Sequence, residues 1–171
     1  MKVFEEQVNR LKVGQEADNI SLNENLYLSN FRGHPILLVF WKSLWRRCQQ
    51  EAPVIEKEIW QSFRDKGLKV FAIGLKENAE QASSWTSQHG LTYPVGLDPD
   101  GEIYKKFGTG SVPYHAVIDR DFRISLSQED FEKDLLIKAI QDALRGAWTI
   151  LWNSMFFLDH GQERPPIMER V

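Results

Sequence analysis

Residues 35–41 read PILLVFW, an unbroken apolar run. A segment with no polar face must be covered on both sides, which makes it a central strand of a sheet flanked by helices. A helical pattern follows over residues 46–66. Cys48, Ala52, Ile55, Ile59 and Phe63 recur on one face, and Gly67 ends the pattern. Pro53 lies inside it and has no N–H to offer the carbonyl of Gln49, so a kink is expected there. A second apolar run, LKVFAIGL (68–75), then returns to the sheet.

The order of later elements narrows the fold. Asn78 with Gln81 three residues on is a capping pair for a helix reaching about His89. DPDG (98–101) is a turn, and EIYKKFG (102–108) a short helix. YHAVID (114–119) and FRISLS (122–127) flank a turn at Arg120 and Asp121 and predict an antiparallel hairpin. Residues 130–146 predict an amphipathic helix with a stripe of Leu135, Leu136, Ala139, Ile140 and Ala143, closed by Gly146. The whole predicts an α/β sandwich whose sheet is parallel in its first half and antiparallel at its end.

Composition sets the outer limits. The chain has 171 residues, 42% hydrophobic and 26% charged, which is ordinary for one globular domain. Its net charge is −3 with scattered basic residues, so nothing supports nucleic-acid binding. MKVFEEQVNRLKVG lacks the apolar core of a signal peptide, and AWTILWNSMFFL (147–158) is too short to cross a bilayer. The single cysteine forbids an intrachain disulfide. Together these features lead to the expectation of a cytoplasmic protein, or of an extracytoplasmic one if a signal sequence has been trimmed from the chain.

Several stretches resemble the thioredoxin-like redoxins, and most closely the TlpA/ResA-type and AhpC/TSA-type families. Those families carry a pattern of the form LsdfrGKpvllnFWAsWCpPCraEmP; residues 28–53 read LSNFRGHPILLVFWKSLWRRCQQEAP. Further matches are GLKVFAIGL (67–75), HGLTYPVGLDPDGEIYKKFGTGSVP (89–113) and YHAVIDRDFRI (114–124). The likeness spans roughly residues 13–145. It implies a thioredoxin-like sandwich over residues 13–146; outside it, residues 1–12 are charged and weakly amphipathic and are expected as a lead segment with a short helix, and residues 147–171 form an aromatic-rich extension.

The resemblance also locates a site and a loss. Dithiol exchange needs an exposed, ionised thiol that attacks a substrate disulfide and a second thiol that resolves the mixed disulfide. The family supplies them as W-C-x-x-C. Here Leu44, Trp45, Arg46, Arg47 and Cys48 hold those places, so Trp45 replaces the attacking cysteine and Cys48 matches the resolving one. At the position where thioredoxins carry a buried acid, two residues before the FW tryptophan, this sequence has Val39, so that acid is missing. Trp41 matches the tryptophan beneath the site, and Val112-Pro113 matches the loop in which the family has a cis proline. In the family the residue before that proline offers backbone hydrogen bonds to an extended peptide.

Three readings of Cys48 stand at this point. It is a buried structural cysteine, the thiol of a one-cysteine peroxidase with Arg46 and Arg47 beside it, or a monothiol that forms mixed disulfides. The peroxiredoxin T-x-x-C would overlay Trp45 to Cys48, but its threonine and preceding proline are missing. His34, His89, His115 and His160 show no ligand spacing, so neither metal nor cofactor is expected. His34 is expected in solvent, and His89 at a helix end, where positive charge is favoured. His115 is expected to be a hydrogen-bonded strand histidine.

Beyond Gly146, Trp148, Leu151, Trp152 and Met155 share a helical face. Such a surface folds back on its own domain, pairs in a homodimer through residues 147–158, or docks on a partner. It lacks the basic face of a membrane-surface helix. The expected function is a redoxin-family protein that binds a protein or peptide at Trp45, Arg46, Arg47, Val112 and Pro113 rather than turning over disulfides. The alternatives are a single-cysteine peroxidase or monothiol oxidoreductase using Cys48, and an assembly subunit acting through the extension.

Overall fold

A computed structural model describes residues 13–146. The readings of residues 1–12 and 147–171 lie outside the described residues. The first strands, β1 (Ser21–Asn23) and β2 (Leu26–Tyr27), form a small antiparallel hairpin. The main sheet has five strands, β3 (Ile36–Trp41), β4 (Lys69–Leu75), β5 (Val95–Asp98), β6 (Tyr114–Ile118) and β7 (Ile124–Gln128), in the order β5-β4-β3-β6-β7. β3 pairs parallel with β4 and antiparallel with β6, β4 pairs parallel with β5, and β6 pairs antiparallel with β7. Every residue of β3 is buried, as an apolar run at the middle of a covered sheet requires.

The helix after β3, α1 (residues 46–66), shows what Pro53 does. Regular α-helix runs over Arg46–Val54, widens into a π-helical stretch at Ile55–Trp60, returns at Gln61–Phe63 and tightens to a 3-10 turn at Arg64–Lys66 before Gly67. The missing N–H of Pro53 is absorbed by a change of helical pitch downstream. The predicted inner face survives this change: Cys48, Ala52, Ile55, Ile59 and Phe63 are all buried. α2 (Ala79–His89) opens with the predicted capping box, in which Asn78 and Gln81 each accept the other's backbone N–H. Short α3 (Glu102–Phe107) starts on Asp98, whose carboxylate accepts the N–H groups of Ile103 and Tyr104.

Three expectations need correction. β5 and the β1–β2 hairpin are strands that the sequence reading does not include; both are short and carry glycine or polar residues. α4 (Lys133–Arg145) starts three residues later than the pattern implies. Its stripe is also narrower: Leu136, Ile140 and Ala143 are buried, whereas Leu135 is 43% exposed.

Candidate functional site

β3 ends at Trp41, and Lys42 to Trp45 form the loop that leads into α1. The loop is anchored from below. Glu77, buried just past the end of β4, accepts Ser43 N–H at 2.8 Å on Oε1 and the Ser43 hydroxyl at 2.9 Å on Oε2. The side-chain amide of Gln49 donates to Ser43 O at 2.7 Å. This fixed base pushes the two residues at the tip outward: Leu44 is 89% exposed and Trp45 46% exposed. Trp45 is extended (φ −93°, ψ 115°) at the N-cap of α1, with no side chain capping the helix. Lys42 Nζ stands 5.8 Å from the centre of its ring.

Cys48 lies one turn into α1 and faces inward, with no exposed surface. Burial pushes its thiol up to about 11. The neighbouring charge of Glu51 acts in the same direction, and hydrogen bonding from the Lys42 backbone only partly opposes it. The two arginines do not rescue a thiolate. Arg46 and Arg47 are exposed, and Arg47 reaches away to Asp130, with Nη1 to Oδ1 at 2.9 Å. Helix geometry separates them: positions i−1 and i−2 do not share a face with i.

Cys48 instead shares its surroundings with an acid. Glu51, three residues on, lies on the same inner face and is buried, as is His115 at the middle of β6. Glu51 Oε1 and His115 Nε2 are 3.0 Å apart. Glu51 Oε2 and His115 Nδ1 have no hydrogen-bond partner among the described residues. Val39 is opposite His115 in the β3–β6 register, and Val39, Trp41, Cys48, Glu51, Trp85 and Tyr93 surround one small internal space. The acid that the strand position Val39 lacks is thus supplied from the helix to the same region of the core.

Trp41 is part of the scaffold. Its indole stacks on Trp85 with centroids 4.3 Å apart and planes 8° from parallel. Gly74 makes that position possible, since a Cβ there would meet Trp41 Cζ2 at 2.8 Å. The Val112–Pro113 peptide bond is cis. The β3–β6 register pairs Phe40 with Tyr114, so one residue further along, Pro113 adjoins Trp41 at the base of the loop. The Val112 and Pro113 side chains are buried. The approach to them is held by Tyr104, whose hydroxyl donates to Ser111 O and accepts Gly110 N–H at 3.0 Å.

Of the predicted site residues, Trp45, Arg46 and Arg47 are therefore outside, while Cys48, Trp41, Val112 and Pro113 are inside. Glu51 is the member the sequence reading leaves out, although its spacing of three from Cys48 marks the same helical face. His115 is the hydrogen-bonded strand histidine expected, with Glu51 as its partner. His34 is exposed, with Nδ1 3.2 Å from Gly67 O. His89 ends α2, as read. It lies edge-on to Trp85 at 4.3 Å, and burial lowers its pKa, against any gain from the helix end. No cluster of metal-ligating side chains occurs among the described residues.

Comparison with known proteins agrees with this architecture. The AhpC/TSA family matches residues 13–127. The thiol-disulfide oxidoreductase ResA of Bacillus thuringiensis subsp. konkukian is 27% identical over 119 residues, covering 67% of this chain and 68% of that protein. ResA of Bacillus subtilis is 22% identical over 115 residues, covering 65% of this chain and 64% of that one. Among solved structures, a protein disulfide isomerase candidate from Bacteroides thetaiotaomicron superposes with a TM-score of 0.75 at 26% identity, covering 82% of this chain and 95% of that one. A candidate thiol:disulfide interchange protein DsbE from Chlorobium tepidum gives 0.71 at 26% identity, covering 78% and 99%. The family match takes in more than half the chain, from before the first strand to the edge strand β7, and the chain belongs to the AhpC/TSA family of thioredoxin-like redoxins.

Proposed function

We propose that this redoxin binds an extended peptide segment of a partner protein at the Trp45 tip and does not turn over disulfides. The observation that carries the reading is the state of the two motif positions, Trp45 and Cys48, at the helix start. Where the family has its attacking thiol, a half-exposed indole projects, and the one remaining thiol is buried and kept protonated. An exposed aromatic beside an exposed leucine, on a loop fixed by Glu77, is a preorganised anchor. The backbone of Val112 makes no hydrogen bond within the described residues, which leaves it able to pair with an extended chain. Lys42 and Arg46 give the tip positive charge and favour acidic side chains flanking the apolar anchor of the peptide.

The peroxidase and monothiol readings need an accessible thiolate at Cys48, and its burial argues against both. A reduced lone thiol suits a reducing compartment such as the cytoplasm. No helix among the described residues is long and apolar enough to cross a membrane.

Panning a displayed random-peptide library on the full chain tests the binding reading. Binders should lose at least about tenfold in affinity on Trp45→Ala, the effect of removing one aromatic anchor worth about 1.4 kcal/mol or more. They should bind Leu135→Ala, a change remote in sequence on α4, as tightly as the parent. Binders indifferent to Trp45, or none at all, would contradict the reading.

A further inference from the structure

A groove of about 320 Å³ lies between the β6–β7 turn and α4, away from the Trp45 tip in the sequence and lined by none of its residues. Its apolar lining is Leu126 of β7 with Leu135, Ala139 and Ala143 of α4. Leu135 belongs to the apolar stripe of α4 by sequence, yet nothing among the described residues covers it fully. The rim is of mixed sign, with Arg120 and Lys138 against Asp119, Asp121 and Asp142.

The end of α4 is part of this groove. Gly146 lines it, has φ +73°, and breaks the helix there. A Cβ on Gly146 would have Arg120 Cδ as its neighbour at 3.8 Å, so the chain leaves the helix beside the β6–β7 turn, on the rim. Trp148 follows two residues later and is at most about 7 Å of chain away. Residues 147–158, AWTILWNSMFFL, carry no charge and hold Trp148, Leu151, Trp152 and Met155 at helical spacing.

We infer that the groove over Leu135 is the intramolecular docking site of the chain's own segment 147–158, seated through its aromatic stripe. The tether decides between this occupant and others. Attachment at the rim gives the segment an effective concentration in the millimolar range, roughly, which a second copy of the chain has to exceed. The segment is uncharged, so it matches the apolar floor rather than the mixed rim, and it has no basic face to hold it on a membrane surface. The space suits one or two large side chains, as a stripe led by tryptophan provides. This inference does not depend on the reading of Trp45.

The test uses the full chain labelled with 5-fluorotryptophan and observed by fluorine NMR. Trp148→Phe and Trp152→Phe assign the two resonances. In the parent protein at least one of them should stand away from the position of free fluorotryptophan. Leu135→Glu should return it to that position, while the Trp41 and Trp85 resonances stay in place and report an intact fold. Ala139→Arg, on the same floor, should do the same and serves if Leu135→Glu fails to fold. Resonances already at the free position in the parent, or unmoved by both variants, would overturn the inference. So would a displacement that fades on dilution together with a dimer-to-monomer change in sedimentation, which would assign the groove to a second copy.

Discussion

Iodoacetamide should label Cys48 in the folded protein at pH 7 at least roughly 100-fold more slowly than in the same chain unfolded in guanidinium. The thiolate is the reacting species. With the folded thiol pushed up from 9.0 to about 11, the ionised fraction at pH 7 falls from about 1% to about 0.01%. Burial of the sulfur slows the reaction further. The sign in pH follows from the raised value. The folded rate should climb tenfold per pH unit through pH 10, while the unfolded rate levels off above about 9. A brief peroxide pulse should leave no sulfenic acid at Cys48 by mass spectrometry. Rapid labelling with a plateau near neutral pH would mean a thiolate stabilised by groups other than those around Cys48 here, and would favour the peroxidase.

His115→Phe should destabilise the fold by about 3–5 kcal/mol and lower Tm by roughly 10 °C, because it strands the buried Glu51 carboxyl. Glu51→Leu should do comparable harm from the other side by stranding His115. The double variant Glu51→Leu/His115→Phe should recover to within about 1 kcal/mol of the parent, since no polar group is then left without a partner and the volume stays filled. Urea unfolding of the four proteins gives the coupling directly. Single variants with unchanged stability would mean that water reaches the pair. Recovery in the double variant would also show that the pair is not kept for stability, which leaves its position beside Cys48 as the reason to look for a role.

The parts of this fold that the sequence discloses are those governed by local rules. β3 and β4 are legible because they are long, apolar and covered on both faces. The Asn78 cap and the Gly67 stop are legible because single residues make them, Asn78 through its side chain and Gly67 through its left-handed backbone. β5 is hidden because a four-residue edge strand containing Gly96 is held by its neighbour β4 rather than by its own pattern. Leu135 is misplaced because periodicity assigns a face but not its width. At the site, the replacement of a cysteine by Trp45 and the match of Cys48 to the resolving position are plain in the sequence. Their consequence is not. Whether Cys48 is reactive depends on its burial and on Glu51, and Glu51 meets His115 only once α1 is laid across β6, 64 residues later in the chain.

The central claim is that the site binds and does not turn over. It is tested most directly by the reduction of insulin in dithiothreitol, followed by turbidity, for the parent chain, Trp45→Cys and Cys48→Ala. The parent should match the dithiothreitol blank, and so should Cys48→Ala. Trp45→Cys should rise above the blank, because it restores two sulfurs at C-x-x-C spacing on a helix start that the scaffold still holds in place. Turnover by the parent that disappears in Cys48→Ala would contradict the account and make Cys48 a working thiol.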